Sequence, residues 1–254
     1  MLPLEACYDL DCLARKNLHI HTCFSSCAKP EMNTLDIIAR ARTCGLEEIA
    51  LTDHYNGDID ADRFLARVDY LRRSVHKTQG TLKVLIGSEL SCFAPGKTLE
   101  PEKIREALDF RLYACNHYHL GFWGQPADVS PRGYALHSIE TVGNLIESGK
   151  AHCIAHPFIG RFIKAHDDPA AVTREISDSE LGSLLERSAR KGCAWELNFG
   201  AVRSDPDFAR RFWHLGKEAG TVFTIGTDAH SLCDIDPSRL LPEIKNILQV
   251  FPRK

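Results

Sequence analysis

No apolar run in this 254-residue chain approaches the roughly 18 residues needed to cross a bilayer, so no membrane-spanning helix is expected. The first residues carry Glu5, Asp9 and Asp11 where a secretory leader would be basic and then apolar, which points to a cytoplasmic protein. Lysines and arginines are scattered over a net charge of −3, so neither a nucleic-acid track nor a membrane-surface patch is announced. Paired CxxC spacings are missing too. The ten cysteines are dispersed, many inside apparent strands and helices, and are read as reduced, buried apolar residues, with Cys27 held apart. No linker, low-complexity tract or composition break divides the chain, so a single domain over residues 1–254 is expected, with 1–16 as an N-terminal extension that includes a short helix. At 44% apolar and 26% charged residues it can bury a full core, and a small polar substrate is the default partner.

What the chain does have is an alternation of apolar runs with amphipathic segments. Strands are expected at 17–21, 49–52, 83–89, 110–116, 151–155, 193–198 and 221–227. Between them lie helices at 34–43 (capped by Thr34, stopped by Gly45), about 60–78, just after Pro101, 138–148 (capped by Ser138), 178–191 and 206–219, with a last helix at 238–250. Seven strands alternating with helices imply a parallel α/β architecture. Nearly every strand is followed at its C-terminal end by His, Asp or Glu, where α/β folds assemble their sites. A doubly wound sheet would spread those ends along a line; a closed or nearly closed barrel converges them.

In Asn17-Leu18-His19-Ile20-His21, alternation puts both imidazoles on one face, with Cα atoms about 7 Å apart. Alone, such a pair reads more often as two hydrogen-bonded core or surface histidines than as metal ligands. The remaining strand ends add His54, Glu89, His117 or His119, His156, Asp228 and His230. All are donors for borderline or hard divalent cations, and eight are too many for one ion that keeps an open position, so two or three ions are implied. His76, His137, His152, His166 and His214 lie off the strand ends and are read as structural or solvated.

The ordered series His-x-His, Thr-Asp-His, Gly-x-Glu, a fourth-strand His, Ala-His-Pro and Gly-Thr-Asp-Ala-His, from about residue 17 to 236, resembles the PHP (polymerase and histidinol phosphatase) family. The resemblance implies a distorted seven-stranded (β/α)7 barrel, TIM-like, and a metal-dependent phosphoesterase with zinc, manganese or iron in a di- or trinuclear site. It assigns one metal to His19, His21, Glu89 and Asp228, and a second, bridged by Glu89, to His117 and His156. A third falls to His54, His230 and the residue six positions beyond His21. That residue is Cys27 where the family has histidine, and a spectator thiol is the alternative. The nucleophile implied is a metal-bridging hydroxide, with Asp228 and His230 or His54 moving the proton to the leaving group.

Phosphate selection calls for further cations: Arg161 and Arg203 first, then Lys29 and Lys164, each following a strand end. Trp123 and Phe158 are candidate walls against a substrate ring. Glu196 alternates inside its strand, behind the strand-end donors. Only 27 residues separate Glu89 from His117, too few for a large inserted lid, which leaves the 120–132 loop as local cover. The expected activity is hydrolysis of a small phosphomonoester. A phosphodiesterase or exonuclease acting on nucleotide ends is the alternative, and a carbon–nitrogen hydrolase or a non-catalytic metal-binding barrel lies further off.

Overall fold

Strand and helix alternate as the hydrophobic pattern requires in the computed structural model, which describes residues 5–78 and 80–250. The start of the expected N-terminal extension, residues 1–4, lies outside them. A short helix α1 (Leu10–Leu13) leads into β1 (Lys16–Ile20), α2 (Thr34–Thr43), β2 (Glu48–Leu51), a two-residue strand β3 (His54–Tyr55) and α3 (Ala61–His76). Next come β4 (Lys83–Ala94), β5 (Lys97–Thr98), α4 (Glu102–Ala107), β6 (Phe110–Ala114), α5 (Pro131–Ser148) and β7 (Cys153–Ile154). The chain ends through α6 (Ala171–Arg174), α7 (Asp178–Lys191), β8 (Ala194–Asn198), α8 (Phe199–Ser204), α9 (Pro206–Glu218), β9 (Phe223–Gly226) and α10 (Leu241–Gln249).

Seven strands, β1-β2-β4-β6-β7-β8-β9, pair in that order and all in parallel, forming a nearly closed TIM-like (β/α)7 barrel. Closure falls at the strands' C-terminal ends, where the His21 N–H donates to the Ala229 carbonyl (3.0 Å) and the Ala229 N–H to that of His19 (3.2 Å). Buried Asn17 stitches the same seam, its amide donating to Thr227 Oγ1 (2.6 Å) and the Ile235 carbonyl (2.9 Å). A cavity of about 270 Å³ is lined by residues of β1 and β9 and by the lead-in residues Cys7, Cys12 and Leu13.

The strand expected to stop at Glu89 runs on to Ala94. Its first half pairs with β2 (Glu48–Leu51 against Lys83–Ile86) and its second with β6 (Gly87–Ser91 against Phe110–Ala114), so tertiary pairing extends it past the apolar run. The short strands β3 and β5 are added to its flanks. At the changeover only Gly87 fits, because a Cβ there would lie 2.6 Å from the Phe110 carbonyl oxygen.

Two helix starts differ from expectation. Asn33, not Thr34, caps α2, its side chain accepting from the Asp36 N–H. Helix α5 begins at Pro131 rather than after Ser138, because Ser130 caps it and proline suits the first helical position. Ser138 lies inside that helix, buried, its hydroxyl 2.8 Å from that of Tyr118. Among the described residues no helix is long and apolar enough to cross a membrane.

Helix α7 carries a capping box in which Ser177 accepts from the Glu180 N–H while Glu180 accepts from the Ser177 N–H. Arg132 of α5 grips the same carboxylate at 2.5 and 3.0 Å, fastening the two helices together. The Arg132 guanidinium and then the Ser177 N–H hold the Glu180 carboxyl down to about 2. Because this folded value lies below the unfolded one, the stabilisation is fully present above about pH 4.3 and is lost as pH falls toward the folded value. Glu180→Gln is therefore expected to cost about 0.5–1 kcal/mol at pH 7. Urea unfolding should find the gap from wild type shrinking as pH is lowered toward 3.

Candidate metal centre

The barrel's C-terminal rim brings the strand-end histidines and carboxylates to one cavity of about 300 Å³. At its base Glu89, 2% exposed, projects from β4 among five imidazoles. One oxygen lies 2.9 Å from His156 Nε2 and 3.5 Å from His117 Nε2; the other lies 3.2 Å from His19 Nε2, 3.1 Å from His54 Nδ1 and 3.4 Å from His21 Nε2. Asp228, following β9, adds its Oδ1 3.1 Å from His21 Nε2.

Three donor groups result, each with ligand atoms within 4.8 Å of one another: His19, His21, Glu89 and Asp228; Glu89, His117 and His156; His21, Cys27, His54 and His230. Oxygen, imidazole and thiol donors at this spacing suit divalent cations, so the residues present fit a multinuclear metal centre.

The outer partners sharpen that fit. His19 Nδ1 lies 2.7 Å from Glu196 Oε1, His156 Nδ1 3.1 Å from Asn116 Oδ1, and His230 Nδ1 2.7 Å from the Asp228 carbonyl oxygen. In the neutral ring each acceptor takes the Nδ1–H and so favours the tautomer whose Nε2 is free to face the cavity, the form that metal-ligating histidines require. His21 Nδ1 rests against Ser25 Oγ (3.3 Å), whose hydroxyl donates to Asp53 (2.7 Å). Asp53 also accepts from Thr22 N–H and Oγ1, holding the loop that carries Cys27.

Burial alone would push His19 down, but the carboxylates of Glu196, Asp228 and Glu89 outweigh it and hold the imidazole well above its ordinary value. Burial likewise opposes charge on Glu89 and Asp228, yet the surrounding imidazoles keep both well below the usual carboxylate range. Burial pushes His54 down to about 4 and His117 to about 3, and lifts the Cys27 thiol to about 11. The carboxylates raise His156 as well as His19, while burial lowers His54, His117 and His230, so the site holds two anionic carboxylates among imidazoles of both tendencies.

Beta-strand β6 ends at Ala114, so His117 and His119 sit on a turn rather than on one strand face. His117 is buried against Glu89, whereas His119 is exposed at the cavity wall, its ring centroid 4.4 Å from that of Phe162. Arg161 lines the cavity, 3.9 Å from Asp228 Oδ2 and stacked over Phe162. Arg203 points elsewhere and pairs with Glu243 (2.9 Å). Lys29 and Lys164 are exposed and do not line the cavity. Trp123 is buried behind His117, and Phe158 is buried in contact with Trp195; neither forms the cavity wall, which Phe162 and Leu120 supply. Ser25, Asp53 and Asn116 escaped the sequence reading, although Asp53 and Asn116 immediately precede donors.

A model described as the PHP domain matches residues 17–151, just over half of the chain. The chain belongs to the PHP domain family. The probable histidinol-phosphatase of Thermotoga maritima is 27% identical over 245 residues, covering 92% of this chain and 91% of that protein. Among solved structures, the N-isopropylammelide isopropylaminohydrolase of Burkholderia multivorans aligns at a TM-score of 0.45 and 15% identity, over 87% of this chain and 57% of that one. The deoxyribose phosphate aldolase of Aeropyrum pernix aligns at 0.41 and 14% identity, over 92% of each chain.

Glu196 fastens two donor groups at once, taking His19 on one oxygen and the His156 backbone N–H on the other (2.6 Å). Gly226 makes the room, since a Cβ there would lie 1.8 Å from Glu196 Oε1. Glu196→Gln keeps the shape but turns an amide NH2 onto one of the two donors. Metal affinity, read by competition with a chromogenic chelator, is expected to fall roughly 10- to 100-fold; an unchanged affinity would mean the carboxylate only fills space.

Proposed function

We propose that the chain is a metal-dependent phosphoesterase that hydrolyses a small phosphomonoester. The observation that carries this reading is the convergence of three donor groups around Glu89 in one cavity edged by the Arg161 guanidinium. Family membership and the similarity to a protein described as a probable histidinol-phosphatase support it. His19, His21, Glu89 and Asp228 would hold one cation; Glu89, His117 and His156 a second; Cys27, His54 and His230 a third. Bound there, zinc, manganese or iron supplies Lewis acidity and brings the pKa of a water to about 7.

The chain's own groups do the rest. Arg161 is placed to take two phosphoryl oxygens at once, a geometry lysine does not offer. Asp228, His230 and His54 all line the cavity and are the groups that hold or pass a proton to the departing alcohol. His119 and Phe162 form an aromatic wall for the organic part of the substrate. Ten free cysteines suit a reducing, cytoplasmic setting.

Protein stripped with chelator and reloaded with manganese or zinc should hydrolyse members of a phosphomonoester panel. Turnover confined to phosphodiesters or to amides would overturn the assignment in favour of a nucleotide-end diesterase or a carbon–nitrogen hydrolase. Glu89→Ala and Asp228→Ala are each expected to lower kcat by at least about 10²–10³ while thermal melts stay cooperative. Arg161→Ala removes a charged hydrogen bond to the substrate, about 1.5–3 kcal/mol, and should cost roughly 10- to 150-fold in kcat/KM in the same assay.

A further inference from the structure

Two of the donor groups consist of nitrogen and oxygen alone, whereas the third contains sulfur. Of the ten cysteines, only Cys27 joins such a group among the described residues, its Sγ lying 3.1 Å from His230 Nε2. The loop that carries it is fixed from both sides. Asp53 binds its start through Thr22 and Ser25, and the Lys29 N–H donates to the carbonyl of His230 (2.9 Å), the residue supplying the neighbouring imidazole. Thiol and imidazole are therefore held together by hydrogen bonds that do not involve Cys27 itself.

His21 belongs to two groups but has one nitrogen to give, because its Nδ1 rests on Ser25. Its Nε2 lies 3.1 Å from Asp228 and 3.4 Å from Glu89, inside the carboxylate set. The remaining set is one sulfur and two imidazoles, Cys27, His54 and His230, opening on the cavity. A thiolate favours zinc and other thiophilic ions, while carboxylate-rich sets tolerate manganese and similar hard ions. Three protein ligands with an open fourth position are the pattern of a zinc site that also receives a substrate or water.

We propose that Cys27, His54 and His230 form a thiolate position selective for a thiophilic cation of the zinc class, whereas the two positions sharing Glu89 accept harder divalent ions, so that the loaded protein is heterometallic. The proposal rests on the reading of this cavity as a metal centre. Cobalt(II) separates the two ideas, because bound cobalt gives visible ligand-field bands and a thiolate ligand adds a sulfur-to-cobalt charge-transfer band in the near ultraviolet.

The stripped full-length protein should show both features when titrated with cobalt chloride alone. Cys27→Ser and Cys27→His should lose the near-ultraviolet band and keep the visible ones. On loading with equal zinc and manganese, elemental analysis should find one zinc per chain that excess manganese does not displace in the wild type and does displace in Cys27→His. Visible bands without the charge-transfer band in the wild type would overturn the thiolate position and leave the metal centre standing. Absence of any cobalt spectrum would remove both. Because Cys27 is exposed and its loop is anchored elsewhere, neither variant touches the folded core.

Discussion

A single buried carboxylate organises the active end of this barrel. Glu89 lies in the part of β4 that pairs with β6, in register with Leu112 of β6 and with His54 of β3. Burying an isolated charged carboxylate costs several kcal/mol, and only cations or hydrogen-bond donors offset it. Imidazoles of His19, His21, His54, His117 and His156 close on its two oxygens from four other strand ends. Burial holds His54 and His117 toward the neutral form, while the neighbouring carboxylates raise His19 and His156.

The backbone around that arrangement is strained at three non-glycine residues among those described. His156, Phe158 and Asp228 take positive φ values of 26°, 58° and 54°, conformations that cost a non-glycine residue about 1–3 kcal/mol each. The bonds that offset the cost at His156 are its neighbours' own: Glu196 accepts its N–H, while Asn116 donates to its carbonyl and accepts from its ring. Asp228 is followed at once by Ala229, whose backbone closes the barrel onto β1. Backbone strain at one of these donors therefore adjoins the bonds that close the fold.

Much of this was legible in the chain because the barrel's strands are buried on both faces and read as apolar runs, while polar donors collect where those runs stop. The seven strands, their parallel order and helix α7 at 178–191 follow from local pattern. What depends on partners distant in sequence was not. The extension of β4 to Ala94 needs β5 and β6, and the start of α5 was hidden by a glycine- and proline-rich stretch that looked like loop throughout. The contrast between Arg161 and Arg203 is of the same kind: both follow strand ends, but Glu243 of α10 occupies Arg203 while Arg161 is left facing the cavity. Spacing cannot tell which of two loop arginines another helix will claim.

The seam between β1 and β9 joins fold to function most directly. Among the described residues, two backbone bonds at the rim and the Asn17 amide tie this seam, and residues of both strands line the neighbouring cavity. His19 and His21 stand on one side of the seam, with Asp228 and His230 on the other, so a cation shared by His21 and Asp228 would span it. Ligand binding to the native state alone adds its free energy to folding, so a cation held by these residues would contribute that energy where the barrel closes. The residues that close the barrel thus adjoin those that could hold a metal, which couples closure of the fold to the site.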